Sequence, residues 1–268
     1  MLSLPQVTLC CVDTRLPEMA LQAMQTCMAK VHFGDAVLFT CPDHGLPLDA
    51  SSPRVVEVDS IRSIEDYSRY LLKSLGPHIH TSHLLIVQWD GYVLNPQAWE
   101  PGFLEFDYIG PVWPQYHDGH RVGNGGFSLR SRKLLDALSH PDVVAHHPED
   151  VCIARTCRAM LESRWGIRFA DDATADRFAF ERHELPFPSF GFHGMSNFPL
   201  VMPRAELTAF VAQAPASFFG SVEARRFVKR LLQLGLREEA LTVLRKRAQV
   251  KRRDWSDVRL WVRCAWPV

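Results

Sequence analysis

The sequence predicts an α/β fold, a mixed and mostly parallel sheet flanked by helices, with a C-terminal helical appendage. Apolar runs of strand length alternate with helix-period segments, the pattern of successive β–α units. One run, His83 to Asp90 (HLLIVQWD), is apolar almost throughout, as a central strand covered on both faces would be. Apolar content of 47% and charged content of 22% leave enough material for a sizeable core in 268 residues.

The first strand is expected at Val7 to Val12, then a helix from Leu16 to Lys30, and further strands at Ala36 to Thr40 and Arg54 to Val58. Ile64 to Leu75 has amphipathic spacing and Pro77 stops it before the central strand. Asp107 to Gly110 and Gly125 to Arg130 read as short strands around a Pro- and Gly-rich loop, and Pro148 to Trp165 as a helix. Phe187 to Pro199 is an aromatic loop. From Pro203 the pattern turns helical, with LLQLGLREEALTVL suggesting a helical hairpin, since a single copy is too little for a solenoid. The expected division is therefore 1–202 for the main domain and 203–268 for the appendage.

Charge divides along the same line. The net formal charge is zero, yet residues 221–268 hold 13 Lys and Arg against 5 Asp and Glu, so an acidic body precedes a basic tail. Arg225, Arg226, Lys229, Arg230, Arg245, Lys246, Arg247, Lys251, Arg252 and Arg253, with Trp255, Trp261 and Trp266, suit either a peripheral contact with anionic lipid or a solvated face. An acidic body without a recognition module argues against nucleic acid. Seven scattered cysteines without metal-ligand spacing read as buried thiols of a reducing compartment. Neither a signal peptide nor an apolar run of about 18 residues is seen, so a cytoplasmic protein is expected.

Four segments carry chemistry. In QWDG (Gln88 to Gly91), Asp90 falls beyond the carboxyl end of the central strand, where open α/β sheets bind ligands and where a carboxylate can hold a divalent ion; a plain Asp-Gly turn competes. VGNGGFSLRS (Val122 to Ser131) brings backbone amides within reach of a ligand, or simply turns tightly into a strand; it is neither a GxGxxG fingerprint nor a P-loop. HHPED (His146 to Asp150) places acidic residues at a helix start, as dipole partners or as a general base. FGFHG (Phe190 to Gly194) sets His193 in an aromatic loop, as a structural residue or a ligand to metal or diphosphate.

In this order, LLIVQWDGYVLNP, YIGPVW, VGNGGFSLRS, PEDV and FGFHG resemble a bacterial glycosyltransferase-like family of unassigned function and, more broadly, the GT-A superfamily, over roughly Leu4 to Pro199. The resemblance implies a GT-A-like catalytic domain. It puts Asp90 at the last position of the DxD metal motif, and Gly125 and Gly126 in the glycine loop. Asp150 then takes the base position of the xED motif, with Glu149 beside it, and His193 the C-terminal metal-binding position. The departure is at the first DxD position, where Gln88 replaces a carboxylate and leaves the site one negative charge short. The implied cofactor is therefore a divalent cation, Mn²⁺ or Mg²⁺, with fewer acidic ligands than the motif supplies.

The resemblance also points to donor contacts at Asp13 and Thr14 after the first strand. Asp13 suits a ribose hydroxyl and an N-cap equally. Tyr67 and Lys73 are further candidates for the nucleotide, and Trp113 is a candidate acceptor platform or a core residue. The expected function is transfer of a sugar from a nucleotide-sugar donor to a glycan or lipid-linked acceptor, with Asp150 as base and the anomeric centre inverted. Two alternatives are a non-catalytic glycan- or nucleotide-binding module, favoured by Gln88, and a nucleotidyltransferase, disfavoured because VDTRLPEM has no glycine.

Overall fold

In the computed structural model, which describes residues 1–42, 45–59, 61–182 and 187–265, alternate side chains of the first strand enter two different cores. From β1 (Leu2–Val12), Leu9 and Cys11 face one core while Cys10 and Val12 face the other. β4 (His83–Val87) alternates in the same way, with Leu85 and Val87 against Leu84 and Ile86, which is why its run is apolar without interruption. The first core takes Ala20, Leu21, Met24 and Cys27 from α1 (Pro17–Met28), and the second takes Leu71 from α2 (Ile64–Lys73). One sheet is thus flanked by helices on both faces.

With β2 (Val31–Thr40), β3 (Arg54–Glu57), β5 (Tyr108–Ile109) and β6 (Ser128–Ser131), the sheet has the order β3-β2-β1-β4-β6-β5. β3, β2, β1 and β4 run parallel, whereas β6 is antiparallel to both its neighbours. β2 lies on one side of β1 and β4 on the other, so the order reverses between β1 and β4. A crevice at such a reversal is where an open α/β sheet binds its ligand. The β1–β2 ladder slips between Leu4 and Thr8, where Pro5 has no amide to donate. A Cβ on Gly34, in the opposite strand, would lie 1.9 Å from the Pro5 carbonyl oxygen.

β1 and β2 each begin five residues earlier than expected, and three further differences bear on the site. The central strand ends at Val87, and Gln88 to Asp90 leave the ladder. Gly125 to Phe127 form a loop before β6 begins at Ser128. The helix expected over 148–165 is broken into α4 (Glu149–Val151), a π-helical stretch (Cys152–Thr156) and α5 (Arg158–Trp165), because the Cys157 amide donates five residues back to the Cys152 carbonyl at 2.8 Å. α3 (Arg132–Ser139), α6 (Asp172–Phe178) and a two-stranded ribbon of β7 (Ala179–Phe180) and β8 (Gly191–Phe192) complete this part.

The chain divides into two compact units, Met1–His193 and Gly194–Val268. The second contains α7 (Phe198–Val201), α8 (Arg204–Gln213), α9 (Val222–Gln233), α10 (Arg237–Val250) and α11 (Trp255–Ala265). α9 and α10 form a hairpin closed by a Schellman turn. Gly235 takes φ 73°, its amide donates to the Leu232 carbonyl at 3.2 Å, and the Leu236 amide donates to the Leu231 carbonyl at 2.8 Å. Phe219 and Phe227 stack within this unit. Trp266, grouped above with the basic tail, lies outside the described residues.

A buried ion-pair network fastens α11. Asp257 Oδ1 accepts from the Nε atoms of Arg225 and Arg247, each at 2.9 Å, and Arg247 also donates to the Phe219 and Ser221 carbonyls. Burial would raise the Asp257 carboxyl, but these donors outweigh it and hold it down at about 2. The depressed value means the carboxylate contributes stability above the ordinary value of 3.8 and loses it as pH falls through about 2. Asp257→Asn leaves Arg247 buried without its charge partner and is expected to cost about 3 kcal/mol at pH 7. Denaturant unfolding from pH 7 to 2 should show the gap between wild type and variant narrowing below pH 4; a gap constant with pH would contradict this role.

Candidate functional site

β1 and β4 leave the sheet side by side, Cys11 standing opposite Val87 in the parallel ladder. Their next residues are Asp13 and Thr14 on one side and Gln88 to Asp90 on the other. Asp13 Oδ1 accepts from the amides of Arg15 (2.8 Å) and Leu16 (2.7 Å), fastening the turn into α1. Burial raises the Asp13 carboxyl above the usual carboxylate range, these two amides oppose the rise, and the nearby Asp90 charge adds to it. Thr14 Oγ1 donates to the Ile61 carbonyl at 3.4 Å.

His193 follows β8, and it is where the separated segments meet. Its Nε2 lies 3.1 Å from Gln88 Oε1 and 3.4 Å from Asp90 Oδ1. Its Nδ1 faces Glu181 Oε1 at 3.7 Å. Burial alone would lower the imidazole's pKa, but Asp90 and Glu181 outweigh it and raise it to about 10, so the ring carries a positive charge between two carboxylates. Gln88 completes the arrangement by donating its Nε2 hydrogen to the Tyr67 hydroxyl at 2.7 Å, which fixes its Oε1 toward the histidine.

The glycine loop packs directly on these groups. A Cβ on Gly126 would lie 2.1 Å from His193 Nε2, and a Cβ on Gly91 would lie 2.8 Å from the Phe192 carbonyl oxygen. A Cβ on Gly125 would lie 2.0 Å from Glu149 Oε1. Asn124 turns the loop with φ 56°, a conformation asparagine tolerates, and its Oδ1 accepts from the Gly126 amide at 3.1 Å. The Gly125 amide donates to Asp150 Oδ2 at 3.3 Å. QWDG, VGNGG, HPED and FGFHG are therefore in contact through one loop, with the His193 cluster at Gly126 and Asp150 at Gly125.

Glu149 and Asp150, neighbours in the sequence, have different surroundings. Glu149 is buried and pairs with Arg130 of β6, which is itself fully buried, at 3.2 Å. Burial raises the Glu149 carboxyl and the Arg130 guanidinium opposes that rise. Arg130 Nε in turn donates to Ser128 Oγ at 3.1 Å, and Ser128 Oγ donates to the Gly125 carbonyl at 3.1 Å, so the pair holds the base of the loop. Asp150 is half-exposed, which leaves its carboxylate open to a substrate while Glu149 is not.

Three candidate site residues have packing or hydrogen-bond partners within the fold. Trp113 is 3% exposed, its ring packed on Gly123, where a Cβ would lie 2.2 Å from it, and edge-on to Tyr116. It supports the loop from inside and presents no open face as an acceptor platform. Lys73 Nζ donates to the Leu138 and His140 carbonyls at 2.6 and 2.9 Å, closing the C-terminal end of α3. Tyr67 reaches the cluster through Gln88 rather than as an open stacking surface. Two residues that the sequence reading missed are central, Glu181 and Arg130. Arg130 left a signal, a lone guanidinium in the short FSLRS strand segment, which on burial had to find a carboxylate. Glu181 left none, standing in FAFER without neighbours of matching pattern.

Once Nε2 has given up its proton, the imidazole, the Asp90 carboxylate and the Gln88 amide oxygen form a donor set that could hold a divalent ion. Glu181 at the opposite nitrogen has the position of the carboxylate that commonly orients a metal-bound imidazole. Asp90 and Glu181 face different ring nitrogens, and among the described residues no three His, Cys, Asp or Glu side chains form a ready-made cluster.

No curated protein matches the sequence. Solved structures similar to this chain include the galactosyltransferase LgtC in complex with donor and acceptor sugar analogues, at 14% identity and a TM-score of 0.43, over 70% of this chain and 86% of that one. An active-site mutant of LgtC has the same identity and coverage and a TM-score of 0.45. The mannosyltransferase PcManGT from Pyrobaculum calidifontis, in complex with GDP-Man and Mn²⁺, has 11% identity and a TM-score of 0.43, over 97% of this chain and 79% of that one. A family described as protein of unknown function (DUF5672) matches residues 52–193, more than half of the chain, and the chain belongs to that family.

Proposed function

We propose that the protein is a glycosyltransferase that moves a sugar from a nucleotide-sugar donor to a glycan or lipid-linked acceptor. The observation that carries the reading is the convergence of the four segments at the β1–β4 reversal, with Asp90 and His193 3.4 Å apart and Asp150 bound to the adjoining glycine loop. A set of ligands for a cation at the diphosphate end and a separate, half-exposed carboxylate to take up a proton are the two chemical functions that sugar transfer requires.

In this reading Asp13 and Thr14 contact the nucleoside, and the amides of Gly125 and Gly126 line the donor side. Asp150 accepts the proton of the acceptor hydroxyl as its oxygen bonds to the anomeric carbon. The bond from that carbon to the diphosphate oxygen breaks with its electron pair, and the nucleoside diphosphate leaves. One attack from the face opposite the leaving group inverts the anomeric centre. Asp90, the Gln88 oxygen and His193, once its Nε2 has lost its proton, would hold a Mn²⁺ or Mg²⁺ ion that would neutralise the charge developing on the diphosphate, and Glu181 steadies the histidine. Glu149 acts by keeping the loop in place through Arg130. Among the described residues no helix is long and apolar enough to cross a membrane. A cytoplasmic site of action, with the basic C-terminal helices near an anionic membrane face, suits a lipid-linked acceptor.

The non-catalytic binding module remains the second reading because Gln88 has both ends of its amide engaged, by Tyr67 and by His193. Asp150→Asn keeps an oxygen for the Gly125 amide but removes the base. It is expected to lower sugar transfer about 10²- to 10⁴-fold with donor affinity unchanged; equal loss of affinity and turnover would remove Asp150 from the role. Thermal unfolding should be followed against UDP-, GDP-, CMP- and dTDP-sugars with and without Mn²⁺ or Mg²⁺. One donor class at 100 times its Kd should stabilise the wild type by about 2.7 kcal/mol, and chelation or Asp90→Ala should remove that gain. Donor stabilisation without turnover would favour the binding module, and no response to any donor would refute the donor site.

A further inference from the structure

α9 and α11 face each other with the same spacing of side chains. Val222, Arg225, Arg226 and Lys229 fall at i, i+3, i+4 and i+7 on one helix, and Ser256, Arg259, Leu260 and Arg263 do so on the other. Between them is a cleft of about 520 Å³, with five cationic side chains and no acidic one along its lining. Arg225 is neutralised by Asp254 and Asp257, and Arg226 by Glu223. Lys229, Arg259 and Arg263 are exposed and have no ion pair among the described residues.

Three unneutralised cations on facing helices repel one another, and mobile helices would relieve this by moving apart. These helices are restrained. Asp257 takes Arg225 of α9 and Arg247 of α10 together, and Leu260, 3% exposed, is packed beneath the cleft. The fold therefore maintains a concentrated positive potential in a concave site, the arrangement that gathers anions. Guanidinium groups match phosphate oxygens in pairs and retain their charge at any physiological pH. On the same helix, Trp255, Val258 and Val262 are 82%, 39% and 49% exposed at i, i+3 and i+7, an apolar stripe at solvent.

We propose that the α9–α11 cleft is a binding site for a phosphate-bearing anion, with Lys229, Arg259 and Arg263 as its contacts. The site lies wholly within the second unit and rests on no part of the transferase reading. Two sources share this chemistry, a soluble polyphosphate and a lipid phosphate headgroup whose acyl region would meet the Trp255 stripe.

The full-length protein should be titrated with inorganic tripolyphosphate by calorimetry, and sedimented with phosphatidylcholine vesicles with and without phosphatidic acid. Arg259→Ala/Arg263→Ala is compared with Arg245→Ala, which removes an exposed charge of α10 outside the cleft, all checked for unchanged unfolding temperature. The double variant is expected to bind about tenfold or more weakly, the single variant to match wild type, and binding to weaken with added salt. Tripolyphosphate binding without vesicle binding supports the site and assigns it to soluble phosphate. Vesicle binding that needs phosphatidic acid, without tripolyphosphate binding, supports it and assigns it to the lipid headgroup. Binding of neither probe, or equal loss from Arg245→Ala, overturns the proposal.

Discussion

The candidate site depends on two absent methyl positions. Glu149 and His193 occupy space that the Cβ atoms of Gly125 and Gly126 would otherwise fill, at 2.0 and 2.1 Å. Close approach of this kind lets one short loop touch the xED acid pair on one side and the histidine cluster on the other. Gly123 repeats the arrangement over the Trp113 ring. The glycines thus act first as a packing device that brings side chains to a common point, while the amides of Gly125 and Gly126 bond Asp150 and Asn124. The amide of Gly125 bound to Asp150 is one consequence of the loop's position.

Buried charge then sets the geometry. Arg130 and Glu149, both withdrawn from solvent, are costly to bury singly and tolerable only as a pair with further hydrogen bonds. Ser128 supplies one of these and passes the constraint to the Gly125 carbonyl. Such a pair contributes little net stability compared with an apolar filling of the same space, so its effect is positional: the carboxylate beside the general-base candidate is locked and cannot compete for a substrate proton. The Asp90–His193–Glu181 row works by the opposite distribution, with one cation between two anions. Gln88 can face an imidazolium or a cation with its oxygen while its amide hydrogens satisfy Tyr67. A carboxylate in that place would have had no hydrogen to give to the Tyr67 hydroxyl.

Much of the sheet was legible from the sequence because its signal is local. The HLLIV run and the amphipathic spacing from Ile64 both express burial over a few residues. The antiparallel direction of β6 was not legible, since a short buried strand has the same pattern in either direction. Neither was the break in the 148–165 helix, where a π turn changes the hydrogen-bond partner without changing residue type. At the site, the four segments could be picked out by their chemistry, but the sequence did not fix what Trp113 and Lys73 pack against. An indole and an ammonium do the same chemistry on a surface or in a fold; only the Gly123 contact and the carbonyls of Leu138 and His140 distinguish the two. Glu181 was hidden for the same reason, as its meaning comes entirely from His193, twelve residues further along the chain.

Charge in the second unit carries the same lesson at larger scale. A basic tail read from composition is a uniform property, yet the fold sorts its cations into two populations. Arg225, Arg226 and Arg247 are spent on Asp254, Asp257 and Glu223, where they hold helices together. Arg259 and Lys229 are left over because the few acidic residues of α9 and α11 are already engaged. Lys229, Arg259 and Arg263 then come together along one cleft. A partner drawn by net charge alone would bind anywhere along these helices and would release evenly as salt rises. A partner fitted to the cleft would discriminate between Arg263 and an equally exposed Arg245, which distinguishes a built site from a charged surface.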